Sequence, residues 1–157
     1  MKKDIEELYA HYDLDTYVIL MEDPSRGAVI DKTRDTLMSK LESAERYIDR
    51  GDPESLKTAA RNLRDATERF CKLVLVGKRK DDGDESALVT DYDGQELGRL
   101  SKQVRPLLTK DTAHPGKLKY IRQTLNPGSH DDEVPEHGEL QQCLNHLKKL
   151  VGRYINN

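Results

Sequence analysis

Residues 52–77 read DPESLKTAARNLRDATERFCKLVLVG. Asp52 followed by Pro53 is a helix start, because the carboxylate caps free N–H groups and the proline ring presets φ for the first turn. Leu56, Ala59, Ala60, Leu63, Ala66, Phe70 and Val74 then recur three and four residues apart. That spacing predicts one apolar stripe on a helix running to about Gly77. Nothing in the stretch alternates with a period of two, so it does not read as a strand.

Working outward, Gly51 closes a preceding helical pattern from Ala28 to Arg50, with Leu37, Leu41, Ala44, Tyr47 and Ile48 on one face. Downstream, residues 78–95 carry Asp81-Asp82-Gly83-Asp84-Glu85 and Asp91-Tyr92-Asp93-Gly94, which reads as a long, mobile, acidic loop. Leu97, Leu100, Val104, Leu107 and Leu108 mark another helix, which Pro106 kinks or ends. A short helix follows from Lys117 to Leu125. The last runs from Glu136 to Tyr154 with Leu140, Cys143, Leu144, Leu147 and Val151 on one face. The pattern predicts an all-α chain, an antiparallel bundle of about four main helices plus short ones. Residues 1–27 read as an N-terminal helical arm or linker, and residues 28–157 as the bundle.

The composition excludes several classes. The chain has 157 residues, 35% of them charged and 35% hydrophobic. That is enough apolar matter for one core without metal or disulfides. No apolar run spans a membrane, and the opening MKKDIEELYAHYDLD has no signal-peptide core. One Phe and no Trp argue against an aromatic platform for successive bases. Cys71 and Cys143 each fall inside a helical pattern with no Cys-x-x-Cys, so both read as reduced core thiols of a cytoplasmic protein. The net charge of −3 conceals blocks: residues 40–80 carry 11 basic and 7 acidic side chains, residues 81–96 carry 7 acidic and no basic, and residues 97–130 carry 7 basic and 1 acidic. Two basic blocks in a mildly acidic chain suit a phosphate-facing surface, and equally suit ordinary solvated helix faces.

Two groups of residues stand out chemically. Arg64 and Glu68 are one turn apart on the central helix, about 100° from the Leu63 stripe, and so lie at the edge of the core. Taken alone they make an ordinary helix ion pair. Residues 125–132 read LNPGSHDD. Pro127 and Gly128 force a turn that sets Ser129 and His130 on a corner, with Asp131 or Asp132 able to accept from the imidazole. Without a partner site, this is a surface turn. His130, Asp131, Asp132, Glu133 and His137 invite a metal reading, but the prolines mark a loop and no helical Glu-x-x-His supports them, so no metal is assigned. No cofactor motif occurs. His11, His114 and His146 read as surface or rim residues.

Together, Arg64, Glu68 and His130 form an Arg-x-x-x-Glu followed 62 residues later by a His after Asn-Pro-Gly-Ser. This resembles the HEPN superfamily of small helical bundles, in particular its anticodon-nuclease branch, over roughly residues 28–155. LNPGSHDD also resembles the end of helical domains attached to bacterial defence ATPases. In most HEPN domains the Arg and His lie closer together than Arg122 and His130, which have seven residues between them. The roles therefore map to Arg64 and Glu68. The resemblance implies a metal-independent endoribonuclease acting on structured RNA, tRNA among the candidates, as a toxin or defence effector. His130 would be the acid or base, Glu68 its partner and Arg64 the phosphate clamp, with Asn126, Ser129 and Asp131 in support. Arg61, Lys72, Arg99, Lys102, Lys119 and Arg122 would meet the RNA backbone. A homodimer is implied, with an antitoxin or an ATPase as further partners. The alternative is a non-catalytic dimerisation or docking module of a larger defence system.

Overall fold

A computed structural model describes residues 28–126 and 133–155. The expected arm at 1–27 lies outside the described residues. The chain divides into two compact units, Met1–Ser39 and Lys40–Asn157. Helix α1 (Ala28–Arg50) begins in the first, and its final turns belong to the second. The second unit carries the bundle, and no strand occurs among the described residues.

Gly51, at φ +73°, ends α1 in a left-handed conformation that other residues adopt only with strain. Asp52 then caps α2 (Pro53–Asp81) as its sequence predicts. Its carboxylate accepts from the Ser55 amide at 3.0 Å and the Ser55 hydroxyl at 2.6 Å. Those bonds favour the ionised form and hold the Asp52 carboxyl below the usual carboxylate range. At 29 residues, α2 is about 44 Å long. Ala59, Leu63, Ala66 and Phe70 are fully buried along it. Each buried Leu or Phe contributes about 1.5–3 kcal/mol of transfer free energy. Thr67, also buried, satisfies its hydroxyl on the Leu63 carbonyl at 2.6 Å.

The acidic stretch departs from the expected loop. Helix α2 continues four residues past Gly77, and Val89–Tyr92 form a 3-10 turn. The cause is Arg79. Its Nε and Nη2 donate to Asp84 Oδ2 at 3.0 and 2.6 Å, and its Nη1 donates to Asp91 at 2.8 Å. Asp84 also accepts from the Ser86 amide and hydroxyl, and Asp91 from the Leu88 amide. These bonds lower the pKa of both carboxyls. Two further α2 cations reach the stretch, Lys72 to Asp93 at 3.6 Å and Lys78 to Asp82 at 2.9 Å.

The remaining helices are α3 (Leu97–Val104), α4 (His114–Leu125) and α5 (His137–Tyr154). Pro106 ends α3 in a 3-10 turn, Arg105–Leu107. Helix α2 packs against α3, α4 and α5, and α4 packs against α3 and α5. Leu97, Leu100, Leu118, Ile121, Leu140, Leu144 and Leu147 fill the space between them. The end of α1 is tied on by Ser43 to Asn62 at 3.0 Å and Glu45 to Lys148 at 2.9 Å.

His114 does not sit at the rim. It opens α4 and is 1% exposed. Its Nδ1 lies 2.7 Å from the Tyr154 hydroxyl, which also accepts from the Lys110 amide at 3.1 Å.

Candidate active site

Arg64 and Glu68 occupy the flank of α2 beside the buried stripe, each about a quarter to a third exposed. Arg64 Nε lies 3.6 Å from Glu68 Oε1. That is an ion pair beyond good hydrogen-bond length. It leaves the terminal Nη groups of Arg64 without a hydrogen bond among the described residues.

Arg64 lines an open groove of about 950 Å³. One wall is α2, with Ala60, Arg61 and Arg64. The C-terminal half of α4 contributes Tyr120 and Thr124, and Asn126 follows it. The opposite wall is the chain leading into α5, with Glu133, Glu136 and Glu139. Asn126 leaves α4 in an extended conformation, as the residue before a proline must, while its amide still donates to Arg122 O at 2.9 Å. Ser129, His130 and Asp131 lie outside the described residues. The described residues that bracket them, Asn126 and Glu133, both line the groove.

Of the acidic wall, Glu133 was singled out from sequence, as one of a possible metal cluster, and Glu136 and Glu139 were not. Glu136 and Glu139 form the capping box of α5, and Glu139 Oε2 accepts from the Glu136 amide at 3.1 Å. Glu-x-x-Glu before an apolar run was the available signal. Glu133 is exposed and has no partner among the described residues. Tyr120 meets His146 edge-on, with ring centroids 5.4 Å apart. Burial, then Lys117 and Lys149, lower the pKa of that imidazole and favour its neutral form.

The expected backbone-binding cations disperse. Arg61 is in the groove. Lys72 is engaged by Asp93. Arg122 packs against α3, where a Cβ on Gly98 would stand 3.6 Å from its Nε, and that Nε is buried without a partner. Arg99, Lys102 and Lys119 are exposed on α3 and α4. Arg69, not singled out from sequence, also has a buried unpartnered Nε, and desolvation lowers its pKa.

Cys71 and Cys143 are free and buried. Burial raises both thiols, Cys143 to about 11, so neither is a nucleophile near neutral pH. Among the described residues, no three His, Cys, Asp or Glu side chains are grouped to hold a metal ion. No helix among them is long and apolar enough to cross a membrane. Comparison with family models, with curated proteins and with solved structures finds no significant match.

Proposed function

We propose that the chain is a HEPN-like, metal-independent endoribonuclease that cleaves structured RNA as a toxin or defence effector. The observation that carries the reading is the position of Arg64. It is half-buried, its Nη groups carry no hydrogen bond among the described residues, and it shares a groove with the two residues that bracket the Pro-Gly-Ser-His segment.

The reaction needs three things. A base takes the proton of a ribose 2′-hydroxyl, and the 2′-oxygen attacks the adjacent phosphorus. The P–O5′ bond breaks, and an acid protonates the leaving 5′-oxygen. Positive charge steadies the non-bridging oxygens meanwhile. His130 and Glu68 supply the proton transfers, and the Arg64 fork holds the phosphate. The products are a 2′,3′-cyclic phosphate and a 5′-hydroxyl. Two copies paired in a homodimer would bring two such sites together, and a toxin of this kind would act in the cytoplasm beside an antitoxin or ATPase partner.

One observation favours the second reading, a non-catalytic docking module. Glu68 already neutralises Arg64, and three carboxylates line the facing wall. Incubation of total tRNA with the full chain in excess EDTA separates the two. Wild type should cut and leave cyclic-phosphate ends, while Arg64→Ala and His130→Ala should not. Absence of cleavage by wild type, with all three proteins folded, would leave the docking module.

A further inference from the structure

The groove carries opposite charges on its two walls, which is an odd surface for a polyanion. A carboxylate repels phosphate, so a wall bearing Glu133, Glu136 and Glu139 has no use as a backbone track. It has a use against the edge of a base. Unstacked bases in single-stranded RNA are read on their Watson–Crick edges, with an aromatic ring for the face. Guanine presents two adjacent donors there, N1–H and the N2 amino group. Adenine and cytosine present one amino group each, and uracil one imide N–H. A carboxylate offers two parallel acceptors and no donor, which matches guanine alone in bidentate fashion.

The side chains divide in the way this use requires. Glu136 and Glu139 are committed to the cap of α5. Glu133 is exposed and unengaged among the described residues. Tyr120 also lines the groove and is braced edge-on by His146. Arg61 and Arg64 are one turn apart on the far wall, where a phosphate adjoining the base would fall. The volume, about 950 Å³, is at the upper end of the range for sites that enclose a small ligand. We propose that the groove selects a guanine nucleotide in single-stranded RNA. Glu133 accepts from N1–H and N2–H, Tyr120 contacts the base, and Arg61 with Arg64 holds the neighbouring phosphate. This rests on the groove being an RNA site and adds the base that it selects.

Binding tests it without cleavage. The probes are fluorescent 2′-O-methyl RNA heptamers of uridine with one central guanosine, inosine or adenosine. They cannot be cut, because the attacking 2′-oxygen is methylated. Inosine keeps N1–H and lacks the N2 amino group. Wild type should bind the guanosine probe about tenfold or more tighter than the inosine probe, the discrimination expected of one bidentate pair. Glu133→Gln should bring the two affinities together. Arg64→Ala should weaken both by the same factor. Glu85→Gln, at an exposed carboxylate outside the groove, should keep the ratio. Glu133 is exposed ahead of α5, and thermal melts check that its variant stays folded. Equal affinity for guanosine and inosine, a ratio that survives Glu133→Gln, or no binding of any probe would each overturn the proposal. Failure to bind would turn the groove toward a protein segment of mixed charge. Cleavage of tRNA without guanine preference would overturn this inference and leave the nuclease reading standing. Guanine-selective binding without cleavage would do the reverse.

Discussion

Tyr154→Phe should destabilise the bundle by about 2 kcal/mol, the cost of leaving a buried partner unsatisfied. The substitution removes one oxygen and keeps the ring. The edge-on contacts with Phe70 at 6.5 Å and His114 at 5.3 Å therefore persist. So does the position of Lys110 Nζ over the ring, 5.1 Å from its centroid. What goes is the hydroxyl between Lys110 and His114. The Lys110 amide donates to that oxygen, and the same hydroxyl shares one hydrogen with His114 Nδ1, as donor or as acceptor according to the imidazole tautomer. Lys110 is exposed and its amide finds water in the variant. His114 is 1% exposed, and its Nδ1 becomes a buried polar atom without a partner. Such a loss costs about 1–3 kcal/mol, and for a chain of this size each kcal/mol moves Tm by about 2–4 °C. Urea titration followed by far-UV circular dichroism measures the first, and a thermal scan the second. In a His114→Ala background the same change should cost less, because the hydroxyl's partner has gone. A Tyr154→Phe variant within about 0.5 kcal/mol of wild type, the scatter of ordinary surface changes, would refute the account of this corner.

Two further predictions follow from charge and burial. The Cys143 thiol is raised from 9.0 to about 11, so the folded chain keeps a proton that the unfolded chain releases. This contribution to stability is complete below pH 9 and is lost as pH rises toward 11; urea midpoints should fall more steeply over that window in wild type than in Cys143→Ala. If RNA enters the groove through Arg61 and Arg64 alone, the affinity for single strands should fall with salt at a log–log slope of about −1.4, and a titration from 50 to 200 mM salt giving a slope several times steeper would place the contacts elsewhere.

The helices were legible because burial follows their period. Leu63, Phe70, Leu140, Leu144 and Leu147 are all fully buried where the three-and-four spacing sets them. The start of α2 was legible because Asp52 and Pro53 act on backbone atoms within one turn. What failed was everything decided by a distant partner. His114 reads as a rim residue because nothing local buries it; Tyr154, forty residues later, does. Residues 81–96 carry no cation of their own, and the cations that hold them stand on α2. At the site, Arg64 and Glu68 were legible as neighbours at the edge of the core, one turn apart on the central helix. The carboxylate wall was not, since the side from which the chain returns into α5 is a tertiary fact.

The same distant pairing changes what the basic blocks mean. Counted by segment, residues 40–80 look like a surface for polyanions. Yet Lys72, Lys78 and Arg79 are spent on Asp93, Asp82, Asp84 and Asp91. The end of α2 is basic because the stretch it must hold is acidic. These groups are mostly exposed, so each pair is weak singly, but together they close the charge of a segment that would otherwise repel itself. Lys40 lies 3.9 Å from Asp65 on the same block. Of the block, Arg61 and Arg64 line the groove, and Arg64 is itself paired with Glu68 at 3.6 Å. A field of many lysines would bind any nucleic acid. Two guanidiniums facing carboxylates favour a ligand that brings both a phosphate and hydrogen-bond donors, and that pairing of needs makes the groove, and not the basic blocks, the place to look for specificity.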